Sequence, residues 1–354
     1  MNFLHLVHSV DLNLGGVASS VVALNRTLQS KNHQSEIISN KKFCPESVDK
    51  NTVLLAHGLW HWPTQKAFRI SRKNGTCFGV FPHGMLDPWF KENYPLKHLK
   101  KQLYWWVREV RTLHAAKFVC FTTEEEMKLA RETFSPFHAT TKVSGLGVED
   151  PPATNPQTKQ ETLEKFPRLK NKRILLYMGR FHEKKGVDLL LNAWSRKSNK
   201  DEILVLAGPN TKDSHFIKLK NRASQNGESI VWTGMLEGDQ KWSMLRMADA
   251  LILPSHQENF GMVVAEALAV GTPVYLTNKV NLWREVIASN AGFVDSDDQP
   301  GINRLVDKWK TKSHQEMVPN TVSCFQEKLH INQTVQKIIS MFELSKMVKA
   351  SNIE

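Results

Sequence analysis

Two cations and two carboxylates stand out by where they fall in the chain. Arg180 and Lys185 lie in Tyr177-Met-Gly-Arg-Phe-His-Glu-Lys-Lys-Gly186, where an apolar run ends and a small residue, Gly179, opens a loop. A guanidinium offers planar bidentate donors and an ammonium a compact charge, so a loop carrying both can cradle a diphosphate. A solvated basic loop accounts for this segment alone equally well, and Lys184 reads as that. Glu258 and Glu266 frame Glu258-Asn-Phe-Gly-Met-Val-Val-Ala-Glu266, the first in a loop, the second about one and a half turns into the next helix. Carboxylates accept two hydroxyl hydrogen bonds each, which suits vicinal diols of sugars and ribose. Taken singly, each also reads as a helix-start acid favoured by the dipole, or as a solvated acid. Glu266, however, is flanked by Val263, Val264, Ala265, Ala267 and Leu268, and an acid in so apolar a run calls for a partner. The turn Asn259, Phe260, Gly261 and Met262 begins that helix, whose first amides lack internal partners and favour an anion by about 0.3–1 kcal/mol.

Such groups need strand ends to hold them. Short apolar runs alternate with amphipathic segments almost throughout. Strands are expected at 3–8, 34–39, 52–56, 77–81, 117–121 and 140–143, then at 173–178, 202–207, 229–232, 249–253, 273–276 and 292–294. Helices fill the gaps, at 16–29, 96–115, 123–134, 186–195, 239–247 and 261–270 among others. This alternation predicts an α/β chain with two tandem Rossmann-like, doubly wound domains. Residues 150–173, rich in Pro, Thr, Gln and Lys, read as an interdomain linker with a short helix. The expected division is 1–165, 166–330 and a closing helical segment, 331–354, packing back on the first domain. Ligands of open α/β sheets bind beyond the carboxyl ends of the strands, so two such domains facing each other would share one cleft.

The chain has 354 residues, too many for one ordinary core, with 41% hydrophobic and 23% charged residues, the range of a soluble globular protein. The formal charge of +12 favours acidic partners, whether nucleotide, nucleic acid or anionic membrane. Four scattered cysteines, without a C-x-x-C pair, fit neither a zinc site nor a disulfide framework and suit a reducing cytosol. Met1–His8 reads as a first strand rather than a signal peptide, and no apolar run reaches the length of a membrane span. A cytoplasmic protein, peripheral at most on the inner face of the membrane, is the expectation.

Arg180 and Lys185-Gly186, followed by Glu258-x7-Glu266, resemble the paired signature of family 4 retaining glycosyltransferases of GT-B fold. The likeness extends to Gly15-Gly16 in the first loop and Pro82-His83-Gly84 midway through the first domain. It implies that Arg180 and Lys185 hold the donor diphosphate, that Glu266 binds ribose hydroxyls, and that Glu258 binds a hydroxyl of the transferred sugar. Gly179 and the backbone from Asn259 to Met262 would contact the donor, Gly15 and Gly16 would approach its phosphate, and His83 would bond a sugar hydroxyl. Met235 and Leu236 fall where such enzymes contact the base. Arg180, Lys185, Glu258 and His83 are thus the catalytic candidates, with no metal and no cofactor beyond the nucleotide-sugar substrate. Asp295-Ser-Asp297-Asp298 matches a metal-binding D-x-D pattern on paper but reads better as a polar surface turn.

Two aromatic loops, His57-Gly-Leu-Trp-His-Trp-Pro63 and Pro82-His-Gly-Met-Leu-Asp-Pro-Trp-Phe90, make His57, Trp60, Trp62, Asp87, Trp89 and Phe90 the acceptor-side candidates, with core or interdomain packing an equal account of the rings. Their phrasing resembles bacterial transferases of cell-surface glycans, which implies a glycan or lipid-linked acceptor. Residues 96–115 form a basic aromatic amphipath: Leu96, Leu99, Leu103, Trp106, Val107, Val110 and Leu113 recur at helical spacing, with Lys97, Lys100, Lys101, Arg108 and Arg111 mostly elsewhere. Either this is a core helix with a solvated basic face, or it touches an anionic membrane surface. The alternatives to a transferase are an epimerase or phosphorylase of the same fold, or a non-catalytic basic protein that binds membrane or nucleic acid. No nucleic-acid-binding motif supports the last.

Overall fold

The structure is a computed structural model that describes residues 1–11, 16–42, 48–195, 199–224, 227–311 and 315–350, with 228 and 344–350 as backbone only. The expected site residue Gly15 lies outside the described residues. The chain divides into Met1–Glu149 with Leu329–Glu354, and Asp150–Lys328.

The first unit is built on a six-stranded sheet of β1 (Asn2–Val7), β2 (Gln34–Ile38), β3 (Thr52–His57), β4 (Cys77–Phe81), β5 (Phe118–Phe121) and β6 (Thr141–Val143). Their order is β2-β1-β3-β4-β5-β6, and every pairing is parallel. A parallel sheet carries helices on both faces, which is why β3, apolar from Val53 to Ala56, is buried at every position. One face packs Leu54, Phe78, Val80, Trp105 and Phe121; the other packs Phe3, Val53, Leu55 and Phe118.

The closing helix, Ile331–Ala350, lies on that second face through Ile331, Val335, Ile338 and Phe342. It is docked by Val148, whose N–H donates to Leu329 O at 2.9 Å and whose carbonyl accepts from Ile331 N–H at 2.9 Å. Gly147 is required here, because a Cβ would stand 2.2 Å from the Ile331 Cα.

The second unit holds β7 (Arg173–Met178), β8 (Glu202–Ala207), β9 (Ile230–Gly234), β10 (Ala250–Leu253), β11 (Val274–Thr277) and β12 (Gly292–Asp295), in the order β12-β11-β10-β7-β8-β9, again all parallel. Counted from its own first strand, this is the 3-2-1-4-5-6 order of a dinucleotide-type Rossmann sheet. The two doubly wound sheets expected from the alternation are therefore present, each strand within two residues of its expected ends. The strand order reverses between β1 and β3 in the first sheet and between β7 and β10 in the second. Those two switch points are where such sheets open a crevice for ligand.

Two expectations need correction. The division falls at 149/150 rather than 165/166, because helix Pro156–Lys165 packs on helix Gly238–Met247 of the second unit, with the Thr162 hydroxyl donating to Ser243 Oγ at 3.3 Å. The amphipath is not one apolar stripe. A π-helical turn, Trp105–Glu109, interrupts helices Pro95–Tyr104 and Val110–Ala115. Its wider winding rotates the helix beyond it, so Val110 and Leu113 turn inward while Leu96, Leu99, Leu103, Trp106 and Val107 stay outside at 79%, 66%, 61%, 55% and 62% exposure.

Candidate active site

The loops that leave β7 and β10 meet at the switch point of the second sheet. After β7, Gly179 continues the ladder by donating to Ala207 O at 2.9 Å, and the Tyr177 hydroxyl donates to Arg180 O at 2.8 Å, which fixes the path on which the exposed Arg180 side chain rides. The chain then makes a 3-10 turn, Glu183–Lys185, capped by the His182 ring, and enters helix Val187–Ser195 through Gly186. Gly186 has φ +62°, and a Cβ there would stand 2.1 Å from Pro254 O, so only glycine lets the two loops touch.

Contact between them is made by side chains as well as backbone. Lys185 Nζ donates to Glu258 Oε2 in an ion pair whose side chains are 9% and 25% exposed. Lys184 is not simply solvated, since its Nζ donates to Gln257 Oε1 at 2.9 Å and its carbonyl accepts from His256 N–H at 2.8 Å. Glu258 is itself held as a bridge to the segment after β11: its N–H donates to Lys279 O at 3.0 Å, and its carbonyl accepts from Asn281 N–H at 3.0 Å. Phe260 is buried, Gly261 caps the next helix with φ +71°, and helix Met262–Ala269 begins at once. The partner that Glu266 required is Lys241, which donates to Oε1 at 2.8 Å from helix Gly238–Met247. Lys241 carried no sequence signal, because helix spacing says nothing of which neighbouring helix faces an acid. Next to β9, Met235 stands out at 59% exposure whereas Leu236 is buried.

The acids of Asp295-Ser-Asp297-Asp298 have protein partners: Asp295 binds Arg304, Asp298 takes the Ser296 hydroxyl and Gly301 N–H, and Asp297 accepts from His256 at 2.9 Å. The Asp297 bond raises His256 above the usual imidazole range and lowers Asp297 below the usual carboxylate range.

The first sheet gathers a different set at its own switch point. His5 on β1, His57 at the end of β3 and His83 beyond β4 form a chain, His5 Nδ1 to His57 Nε2 at 3.0 Å and His57 Nδ1 to His83 Nε2 at 3.0 Å. Burial pushes His5 down to about 3 and His83 to about 4, and holds His57 well below the imidazole range with its two histidine neighbours adding to the effect. All three are therefore neutral at pH 7, each contact sharing one proton. His57 is not available to an acceptor as expected, because it is 3% exposed and both ring nitrogens are engaged.

His83 adopts φ +51°, and the loop is held by Glu126, which is absent from the residues expected at the site. Buried Glu126 accepts from Gly84 N–H at 2.6 Å and from the Thr122 N–H and hydroxyl at 2.7 and 2.6 Å. Thr123-Glu-Glu-Glu126 was a readable signal, since Thr123 caps helix Glu124–Thr133 by accepting Glu126 N–H at 3.0 Å, three residues on. Gly16 opens helix Gly16–Ser30 and is exposed. Trp60 packs on Trp105 and Phe134 and is half-buried, Trp62 lies 5.4 Å from the Lys66 ammonium, Asp87 accepts from Trp89 N–H at 2.9 Å, and Trp89 packs edge-on against Phe90. The packing account of these rings thus holds for Trp60.

Residues 158–321 match the family model of "Glycosyl transferases group 1". This stretch is a group 1 glycosyltransferase domain. It contains Arg180, Lys185, Glu258 and Glu266. Part of the chain is 34% identical, over 120 residues, to the glycogen synthase of Mycobacterium tuberculosis, a stretch covering 33% of this chain and 29% of that protein. An uncharacterized glycosyltransferase of Methanocaldococcus jannaschii is 24% identical over 183 residues, 49% of this chain and 46% of that one. The chain thus spans less than half the length of these curated relatives. Among solved structures, a sucrose-phosphate synthase from Thermosynechococcus elongatus superposes with a TM-score of 0.75 at 14% identity, covering 99% of this chain and 100% of that one. Anabaena HepE, crystallised with UDP and glucose, gives a TM-score of 0.71 at 15% identity over 97% and 99%. These likenesses show the fold around the glycosyltransferase domain to be that of the GT-B glycosyltransferases.

Proposed function

We propose that the chain is a metal-independent, retaining glycosyltransferase that moves a hexosyl group from a nucleotide-diphosphate sugar to a glycan or lipid-linked acceptor, in the synthesis of a cell-surface polysaccharide. The observation that carries this reading is the Lys185–Glu258 pair at the β7/β10 switch point, with Arg180 on the adjoining loop. Both members are already largely desolvated and held from several sides, so charge that develops against them is met without reorganisation. In the proposed reaction the bond from the sugar's anomeric carbon to the diphosphate oxygen breaks, and Lys185 and Arg180 stabilise the leaving dianion. A bond to the acceptor oxygen forms on the same face, and the acceptor's hydroxyl proton passes to the departing phosphate. Glu258 orients a sugar hydroxyl, and Glu266, itself oriented by Lys241, takes the ribose.

Free nucleotide released from a panel of UDP-, GDP- and ADP-sugars, with and without chelator, tests the class. Release from at least one donor that survives chelation is expected, with a product of unchanged anomeric configuration by NMR. Silence with every donor removes the reading.

A membrane-facing role for the amphipath is favoured by the exposed row Leu96, Leu99, Leu103, Trp106 and Val107, beside Lys97, Lys100 and Arg108. Monomers seldom leave such a contiguous apolar patch in water. Co-sedimentation with vesicles containing anionic lipid is expected at low salt. A Leu99→Ser/Leu103→Ser variant should weaken it about tenfold or more, given about 1.5–3 kcal/mol for each leucine buried. Equal sedimentation of the two proteins would count against the contact. Among the described residues no helix is long and apolar enough to cross a membrane.

A further inference from the structure

Beside that exposed row the first unit contains a cavity of about 350 Å³ between the loop after β4 and helix Pro95–Tyr104. This volume suits a small ligand or headgroup. Its lining combines the rings of Phe90, Tyr94 and Phe134 with the cations Lys91, Lys97 and Lys101. Lys97 and Lys101, four apart on one helix, fall on the same face, with their ammonium groups 4.8 Å from the Tyr94 ring and 5.0 Å from the Trp60 ring.

The electrostatics are one-sided. Asp87 is the carboxylate of the lining, and it is buried and turned onto Trp89 N–H. Among the described residues no ion pair is formed by any of the three lysines; Lys91 spends its ammonium on a backbone carbonyl, Glu132 O, at 3.2 Å. Burial lowers the Lys101 ammonium below the usual range, and burial with the positive charge of Lys91 and Lys101 lowers His98. Lys101 is partly buried while Lys91 and Lys97 are exposed, and three ammonium groups gathered on one cavity without an ion-pair partner favour an anion that can supply the counter-charge. The same short helix carries Leu96, Leu99 and Leu103 on an outward face, so the anion site and the apolar row are two sides of one element. A ligand that satisfies both has a charged head and an apolar tail.

We propose that this cavity is the acceptor subsite and that it takes the phosphate-bearing head of an amphiphile, whose apolar tail runs along Leu96, Leu99 and Leu103. Calling this ligand the acceptor rests on the glycosyltransferase reading; the binding site rests on the geometry alone. Phosphate oxygens would accept from Lys97 and Lys101, while the lining rings carry the adjoining ring or methylene groups.

Calorimetric titration of the full chain with dodecyl phosphate below its micellar concentration, with inorganic phosphate and with dodecyl maltoside tests it. Dodecyl phosphate is expected to bind at least tenfold more tightly than either of the others. Lys97→Ala/Lys101→Ala should cost at least tenfold for dodecyl phosphate and nothing for dodecyl maltoside, while Leu99→Ser/Leu103→Ser should cost tenfold for dodecyl phosphate and nothing for inorganic phosphate. Unchanged affinity in the double lysine variant, with its melting temperature preserved, overturns the proposal. So does equal binding of the neutral amphiphile, and inorganic phosphate binding as tightly as dodecyl phosphate reduces the cavity to a free-anion site and overturns it too. Slow nucleotide release from the donor without acceptor, measured on the wild type, is expected; its absence would speak against the transferase reading instead.

Discussion

Arg180→Ala is expected to lower turnover about 10²–10³-fold, the range for a lost preorganised donor, with the melting temperature unchanged. The two halves of that expectation come from different observations. The side chain is exposed, so folding does not rely on it, whereas its backbone carbonyl is held by the Tyr177 hydroxyl at the start of the loop. Arg180→Lys should fall between, since it keeps the charge and loses the planar fork. Lys185→Ala should lower turnover by a similar factor but also lower stability, because Glu258 would keep a partly buried charge without its counter-ion. Nucleotide release in steady state, with thermal melts of the same preparations, separates the cases. Unchanged donor consumption in both alanine variants would sink the assignment of the diphosphate site, and a loss of activity in Arg180→Ala that tracks a loss of fold would remove its chemical meaning.

The strand–helix alternation was enough to locate both sheets, because parallel strands are buried on both faces and therefore stand out as short continuous apolar runs. The order of the strands was not legible, yet that order decides the site. Only the β10-β7 adjacency places Glu258 against Lys185, 73 residues away in sequence. Glu266 illustrates a partial success: its apolar neighbours demanded a partner, but Lys241 had to be read from helix packing. The histidine chain failed to show for the opposite reason. His5, His57 and His83 lie on three segments that become neighbours only when β1, β3 and β4 pair, so His57 and His83 were legible as separate loop candidates but their link to each other and to His5 was not. The amphipath misled by its regularity. Seven apolar residues fit one helical face until a single π turn divides them into an exposed and a buried group, and no local propensity announces such a turn.

That π turn also carries Glu109, a fully buried carboxyl whose Oε1 accepts Trp60 N–H at 3.1 Å. Trp60 has φ +68°, so this hydrogen bond helps hold a conformation that side chains of its kind rarely adopt. Burial pushes the Glu109 carboxyl up to about 7, with the Trp60 N–H working against the shift. The folded chain therefore binds this proton more tightly than the unfolded one. Stability from the group is full below its ordinary value of about 4.5 and is lost as pH rises through about 7. A displacement of that size corresponds to about 3 kcal/mol. Glu109→Gln keeps an acceptor for Trp60 and cannot ionise, so it should match the wild type near pH 4 and exceed it by up to about 3 kcal/mol near pH 8. Urea denaturation of both proteins across that range gives the difference directly, with titrations elsewhere in the chain cancelling. A difference that stays flat from pH 4 to 8 would mean that Glu109 is already ionised in the fold, and the loop carrying Trp60 would then owe its shape to a buried charge rather than to a neutral hydrogen bond.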